Sequence, residues 1–503
     1  MALLNPVVIA LSRSGEATAH RVAQTIGAQV HGRTGRVDVA DTFFANALDH
    51  ARELFAAGTP IVGVCASGIL IRSVAPLLND KRSEPPVISV SDDGAVVVPL
   101  LGGHRGANRL AKQISESLGG VAAVTTAGDV AMGIALDEPP VGYVLANPED
   151  AKGAMAAMLG GAGVTVKGEN IFDVKNAAAG GVELMVTQAP ARGSENALVY
   201  HPQKFVLGLG CARNADPAEM WSQVETVLAE AGIASGAVAA VASIDLKGDE
   251  PAIIETAKRL GVPLRLFTAD ELEAETARLE NPSDVVFAEV GCHGVSEAAA
   301  LASVGATGSL KVAKRKTANV TVALGEAVES LVELRGRARG RLSIVGIGPG
   351  QASWRTPEVS RLVADAEELV GYGLYIDLLG PLAIGKARSD FPLGGEEARC
   401  RYALEQAALG KNVALVCSGD AGIYAMGALV FELMDRGPDE LGVSDAAHRV
   451  EVVCSPGVSA LQGAAARAGA PLGHDFCAIS LSDLLTPRDD ILRPSRPQQR
   501  VIS

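Results

Sequence analysis

Aromatic residues are scarce. Phenylalanine, tryptophan and tyrosine together make 4% of the 503 residues, with two tryptophans among them. A protein that stacks nucleic-acid bases on exposed rings has little to work with here. Positive charge is also in deficit. Lysine and arginine total 44 against 58 aspartates and glutamates, a formal net charge of −14. That disfavours non-specific binding to nucleic acid, but a small anionic substrate can still be held by local cations. No apolar run reaches the roughly 20 residues that span a bilayer. The start, MALLNPVVIAL, has no basic segment ahead of its apolar one, so neither a membrane span nor a signal peptide is expected. The seven cysteines are scattered singly, without a CxxC pair. They predict reduced thiols in a cytoplasmic protein and no metal site.

What is abundant is glycine, at 56 residues, within a composition that is 48% hydrophobic. Short apolar runs alternate with amphipathic stretches along most of the chain: PVVIAL (6–11), PIVGVCA (60–66), FVLGLGCA (205–212), VVFAEVG (285–291), LSIVGIG (342–348) and NVALVCSG (412–419). Most lead through a turn into a helix-like segment. This rhythm predicts α/β architecture, with several open domains built on mostly parallel sheets. Breaks at 139–150, near ALVYHPQ (197–203) and at the Arg-rich ELRGRARGRL (333–342) divide the chain into residues 1–140, 141–200, 201–328 and 341–503. The stretch 329–340 reads as an exposed linker.

Four constellations carry chemistry. In the first, an Asp80-Lys81-Arg82-Ser83 cluster precedes a hairpin around Asp92-Asp93-Gly94, and GGHRGANRLA (102–111) sets His104 and Arg105 at a helix start. Backbone amides there favour an anion, although the glycine pair alone reads as readily as a plain turn. In the second, FAEVGCHGVSEAAAL (287–301), Glu289 is expected at a strand end and His293 in the following turn, a spacing that suits a general acid/base pair. Downstream, Lys311, Lys314, Arg315 and Lys316 suggest a carboxylate-binding rim, or simply a solvated basic loop. In the third, Arg213 and Lys247 fall in loops at the carboxyl ends of strands, where ligands bind open α/β sheets. The fourth comprises VGIGPG, GYGLYIDLL, SGDAGIYAMG and SPGVSALQGAAARAGAPLGHDF. Its G-x-G-x-G lacks the third glycine of a dinucleotide loop, and Pro349 removes an amide hydrogen, so a nucleotide-dependent oxidoreductase is disfavoured.

Those last four stretches resemble the tetrapyrrole methylases, most of all the precorrin-3B C(17)-methyltransferases. The resemblance covers residues 341 to about 487. It implies S-adenosylmethionine (SAM) as cofactor, with Gly419, Asp420, Ala421, Gly422 and Ile423 lining the donor site, Ser455, Gly457 and Ala460 bordering it, and a homodimer formed through this module. The family's second lobe continues well past SLSDLL, whereas here the tail LRPSRPQQRVIS departs from the family, so an incomplete second lobe is expected. Residues 1 to about 328 resemble the cobalt-precorrin-5A hydrolases, through CASGILIRSVAPLLNDKRSEPPVISV, PLLGGHRGANRLA, GLGCARNADPAE, VVFAEVGCHGVSEAAAL and KVAKRKTANVTVA. That family opens a ring-A lactone and expels acetaldehyde. The combined resemblance implies a bifunctional protein of corrin biosynthesis acting on a precorrin or cobalt-precorrin. Glu289 or His293 would serve as base, the helix after Gly294 as oxyanion site, and Lys81, Arg82, His104, Arg105, Arg213, Lys247, Lys314 and Lys316 would hold substrate carboxylates. A non-catalytic carrier of corrinoid intermediates is the alternative.

Overall fold

The computed structural model describes residues 5–78, 84–125, 134–177, 179–437, 440–470, 472–473 and 476. These form two compact units. One is built from residues up to Ala122 together with Gly340–His448 and the chain from Val452. The other comprises Ala123–Arg339 with Arg449–Glu451.

The first unit holds two parallel-rich sheets. Strands β1 (Val7–Ala10), β2 (Gln29–Arg33), β3 (Thr42–Phe44), β4 (Ile61–Val64), β5 (Val87–Val90), β6 (Val96–Leu101) and β7 (Val121–Ala122) lie in the order β3-β2-β1-β4-β5-β6-β7. Only β5 and β6 pair antiparallel, forming the hairpin that Asp92-Asp93-Gly94 predicts. Helices α1 (Glu16–Ile26), α2 (Ala47–Ala56), α3 (Ser67–Val74) and α4 (Ala107–Leu118) cover this sheet. Its central strands β1, β4 and β5 are buried, as βαβ crossovers require, while β3, β6 and β7 are partly exposed.

Further helices follow in chain order among the described residues. They are α5 (Ala151–Leu159), α6 (Pro217–Ala231), α7 (Pro251–Leu260), α8 (Ala269–Glu273), α9 (Asp284–Val290), α10 (Val295–Val304), α11 (Pro357–Asp365), α12 (Gly373–Asp377), α13 (Glu396–Ala408), α14 (Met426–Asp435) and α15 (Ala460–Ala468). The second unit contributes β8 (Tyr143–Leu145), β9 (Val164–Lys167), β10 (Val182–Val186) and β11 (Ala197–Pro202), ordered β8-β11-β10-β9. It also contributes β12 (Phe205–Cys211), β13 (Val238–Ile244), β14 (Leu264–Phe267), β15 (Ser309–Lys316) and β16 (Val320–Glu326), ordered β14-β13-β12-β16-β15. Here β12, β13 and β14 run parallel, while β16 is antiparallel to both β12 and β15. The fourth sheet, in the first unit, has β17 (Arg341–Gly346), β18 (Glu368–Tyr372), β19 (Ala387–Phe391), β20 (Asn412–Cys417) and β21 (Glu451–Ser455) in the order β19-β18-β20-β17-β21.

Helix α10 is buried along its length against β12 and β16. Glycine permits this close approach. A Cβ on Gly208 would overlap the Ser296 carbonyl, and one on Gly325 would lie 2.9 Å from the Ala300 carbonyl oxygen. In the first unit, Ala57, just past α2, packs into the core of the fourth sheet with Val345, Ile347 and Val359. Glu53 of α2 meets Arg355 at 3.2 Å.

Two sequence expectations need correction, and a third is refined. The run 285–291 is not a strand but α9, because Ser283 caps its first turn and Gly291 ends it in the left-handed region at φ 79°; short apolar runs do not distinguish the two by pattern alone. The stretch at the break near ALVYHPQ is strand β11, buried at five of its six positions, and the chain passes there to a different sheet, which begins with β12. The Arg-rich stretch is not free. Arg337 pairs with Asp245 and makes a reciprocal backbone bridge with Leu266, while Arg339 donates to the Arg449 carbonyl at 3.0 Å. The cysteines among the described residues are free thiols. No single helix among those residues is long and apolar enough to cross a membrane.

Candidate functional site

The most developed polar constellation in the second unit surrounds His293, in the short turn between α9 and α10. Its Nδ1 lies 2.9 Å from Glu273 Oε1 and 3.0 Å from Oε2, and its backbone N–H donates to Glu273 Oε2 at 3.0 Å. Glu273 is the last residue of α8, which opens with a capping box between Thr268 and Glu271. A carboxylate on Nδ1 selects the tautomer that keeps the proton there, leaving Nε2 as the basic nitrogen. The Phe287 ring stacks on the imidazole, centroids 4.5 Å apart. Asp284 Oδ1 lies 3.5 Å from Nε2. The His293 side chain is 24% exposed, open enough to meet a solute. Its hydrogen bond to Glu273 holds that carboxyl below the usual glutamate range.

The expected Glu289–His293 pair is not formed. Glu289 lies exposed on α9, and the carboxylates that meet the imidazole are Glu273 and Asp284. The helical run turns Glu289 away, whereas an extended strand would have carried it to the turn. Beyond His293, α10 begins at Gly294 with no side chain capping it, and of its first residues Val295 is partly exposed while Ser296 and Glu297 are buried.

The expected cations divide into separate groups. Arg213 and Lys247 do converge, but around protein carboxylates. Arg213 Nη1 lies 2.7 Å from Asp249 and 3.0 Å from Glu250, and Lys247 Nζ is 3.4 Å from Glu250. Glu250 is 1% exposed and also accepts the Asn214 amide at 3.1 Å. The basic run on β15 does not form one rim, because strand side chains alternate between faces. Lys311 pairs with Glu326, Arg315 with Glu230, Lys314 donates to the Asn281 carbonyl, and Lys316 is exposed. In the first unit, Arg105 sits in a single turn ahead of α4. Lys81 and Arg82, and the side chain of His104, lie outside the described residues.

The glycine-rich positions of the C-terminal sheet, by contrast, all come together. Gly348 and Gly419 exchange backbone hydrogen bonds of 3.0 and 2.9 Å. Asp420 accepts from the amides of Gly422 at 2.8 Å, Ile423 at 3.1 Å and Gly457 at 3.1 Å, tying the loop after β20 to the loop after β21. A Cβ on Gly346 would sit 2.8 Å from the Ala421 and Gly457 nitrogens, and one on Gly457 would overlap the Gly346 and Gly419 carbonyls. Buried Ser455 donates to Glu358 at 2.7 Å. A Cβ on Gly419 would lie 3.5 Å from the amide of Ala460, the first residue of α15. Ile423 and Tyr424 project from this junction, 45% and 63% exposed.

Family models match three stretches of the chain. The model of the cobalamin synthesis G N-terminal domain matches residues 49–129, that of the cobalamin synthesis G C-terminus residues 205–325, and that of the tetrapyrrole (corrin/porphyrin) methylases residues 341–501. Protein CobE of Sinorhizobium sp is 47% identical over 120 residues, covering 24% of this chain and 78% of that protein. The chain belongs to the cobalamin synthesis G family. A cobalt-precorrin-5A hydrolase of Priestia megaterium is 29% identical over 299 residues, 54% of this chain and 79% of that protein. A precorrin-3B C(17)-methyltransferase of Sinorhizobium sp is 46% identical over 157 residues, 31% of this chain and 59% of that protein. The chain thus spans less than two thirds of the methyltransferase it matches.

This cobalamin synthesis G protein therefore carries a tetrapyrrole methylase domain on the same chain and belongs to corrin biosynthesis. Within its G-type portion, sequence reasoning missed Glu273, Glu297 and Glu250. Each acts on a residue distant in the chain. The one local signal was the Thr268–Glu271 capping box, which announces the start of the helix that carries Glu273.

Proposed function

We propose that the chain is a bifunctional enzyme that opens the lactone of a cobalt-precorrin-5A-type substrate, releasing acetaldehyde, and methylates a precorrin-3B-type tetrapyrrole from SAM. The reading of the first activity rests on the Glu273–His293 pair at the head of an uncapped helix. His293 Nε2 takes a proton from water, and the hydroxide attacks the lactone carbonyl. The oxyanion lies against the first amides of α10, and collapse breaks the acyl C–O bond, leaving a carboxylate and an alkoxide. The alkoxide becomes the carbonyl of acetaldehyde as its C–C bond to the macrocycle breaks and the electron pair passes into the conjugated ring. The proton held by His293 is returned to the product or to water. Glu273 holds the imidazole in the required tautomer and stabilises its cation. Lys316 contributes to holding the substrate's carboxylates on this unit, and Lys81, Arg82, His104 and Arg105 of the other unit stand as separate candidates for carboxylate binding. Arg213, Lys247 and Lys314 keep a lesser role, because protein groups already occupy them.

For the second activity, the junction of Gly346, Gly419 and Gly457 fits a methyl donor. Side chains are excluded where the loops meet, and exposed Ile423 and Tyr424 offer apolar surface in the loop after β20. Gly419, Ala421, Gly422, Ile423, Ser455, Gly457 and Ala460 would hold SAM, which when bound supplies an electrophilic methyl group. Asp420 spends its carboxylate on three backbone amides and so shapes the loop. We assign residues 1–140, 141–200 and 201–328 to the hydrolase, 329–340 to the connection and 341–503 to the methylase, in a cytoplasmic protein that dimerises through the methylase module. One chain carrying both steps raises the concentration of each intermediate at the other site.

The test is incubation of the purified chain with cobalt-precorrin-5A, trapping acetaldehyde. The wild-type protein releases it, and His293→Ala and Glu273→Gln lower the rate by about 10²–10⁴-fold. A folded wild-type protein that binds the substrate but yields no acetaldehyde would mean a carrier rather than a hydrolase.

A further inference from the structure

Glu297 is the most heavily engaged buried carboxylate near His293, and the mechanism above does not use it. It lies in the first turn of α10, 1% exposed. Its Oε2 accepts the amides of Glu280 at 3.0 Å and Asn281 at 2.9 Å. Its Oε1 accepts the Asn281 side-chain amide and the Lys314 backbone amide, each at 2.8 Å. Burial pushes this carboxyl up, but the four donors and Lys314 outweigh it, and the group is held below the usual glutamate range. No water or external cation is needed to compensate its charge.

What those donors belong to is the informative part. Residues 280–283 form the connection leading into α9. At its far end the Ser283 amide donates to the His293 carbonyl at 2.8 Å, and the Ser283 hydroxyl accepts from Val286 to cap α9. That helix delivers Phe287, stacked on the imidazole, and Asp284, beside Nε2. Lys314 closes the loop from the other side, its Nζ donating to the Asn281 carbonyl at 2.9 Å. Leu279, just before this connection, packs where a Cβ on Gly294 would come within 3.1 Å. One buried carboxylate thus fixes the loop that grips His293 by its backbone and by its ring.

From this we infer that Glu297 is the positioning residue of the His293 site: it orients the imidazole through the 280–283 loop without touching substrate. The inference rests on the lactonase reading only for its kinetic consequence. The orientation of the ring is a property of the protein alone.

Glu297→Gln places an amide N–H among donors, and an error of about 1 Å in a catalytic group costs up to about 100-fold in rate. The full chain carrying Glu297→Gln is expected to lose kcat by about 10–100-fold with KM within about twofold of wild type. In ¹⁵N-histidine spectra of the substrate-free chain, assigned with His293→Ala, the wild-type His293 shows the Nδ1–H tautomer. Glu297→Gln shifts it toward a mixture. Should Glu297→Gln not fold, Asn281→Ala removes one donor, keeps the carboxylate and gives a smaller displacement in the same direction. If wild-type protein releases no acetaldehyde, the lactonase reading fails and the spectra alone decide. His293 resonances in the folded variants that superimpose on the wild type would overturn the positioning role.

Discussion

The His293 site and the glycine junction of the methylase domain lie in different units and are built by opposite means. Around His293 the work is done by side chains drawn from far apart: Glu273 from α8, Phe287 and Asp284 from α9, Glu297 from α10. At the junction it is done by backbone. Three glycines let loops touch, and the principal side chain, Asp420, bonds to main-chain amides. A site of side chains can tolerate small backbone shifts and fails when one group is exchanged. A site of backbone tolerates most side-chain changes nearby and fails when a single Cβ is added. The two should therefore break under different substitutions.

The largest effect is expected at Gly457. A Cβ there overlaps two carbonyl oxygens, and backbone cannot rotate out of the way as a side chain can. Gly457→Ala should cost the methylase domain about 3 kcal/mol or more. Trp354 stands against Gly463 of α15 and reports on this domain, so a Trp221→Phe background lets denaturant unfolding be followed there by fluorescence. Acetaldehyde release by the G-type portion should persist. A midpoint equal to wild type would show that the loops are not locked together, and the contrast between the two sites would dissolve.

A smaller effect concerns what makes a histidine usable. His31 and His50 hydrogen-bond to each other at 2.9 Å in the interior of the N-terminal sheet. Burial lowers His31 to about 4; burial, with His31 adding, lowers His50 to about 3. Both are neutral at physiological pH and closed to solute, unlike the quarter-exposed His293. Unfolded histidines take up protons below about 6.5, while these two resist. Stability is therefore fully present above about pH 6.5 and is lost as pH falls toward 4, by about 1–2 kcal/mol for each histidine over the first 1.5 pH units or so. Urea midpoints at about pH 7 and about pH 5 should separate for wild type and converge for His31→Leu/His50→Leu. A wild-type midpoint that does not move would place both rings in contact with water.

The same contrast explains what could be read from sequence. The parallel strands, the hairpin at Asp92-Asp93-Gly94 and the glycine loops that meet after β17, β20 and β21 were legible because each is written in contiguous residues: apolar runs, turn pairs, glycine loops. Backbone-built sites are local in sequence even when two loops must meet. The partner of His293 was not legible, since Glu273 stands 20 positions upstream and nothing in its spacing marks it. The cations of 311–316 were overcounted as a rim, because the pattern does not reveal that β15 alternates them between faces and shifts register between Val312 and Arg315. Arg213 and Lys247 were rightly grouped, but a sequence does not say that Asp249 and Glu250 reach them first.

The smallest expected effect is the most discriminating between two carboxylates. Glu289 and Glu273 both lie within 20 positions of His293, and one is solvated on α9 while the other bonds the ring twice and its amide once. Glu289→Ala removes a side chain from an exposed helical position, where substitutions change stability by no more than about 0.5 kcal/mol. Acetaldehyde release should then stay within about twofold of wild type, because neither the tautomer nor the position of the imidazole depends on it. Glu273→Gln exchanges an acceptor for an amide that can also donate, so the ring loses its reason to keep the proton on Nδ1. If Glu289→Ala proved as damaging as Glu273→Gln, the carboxylate serving His293 would have to come from α9, and the imidazole would turn away from α8 during turnover.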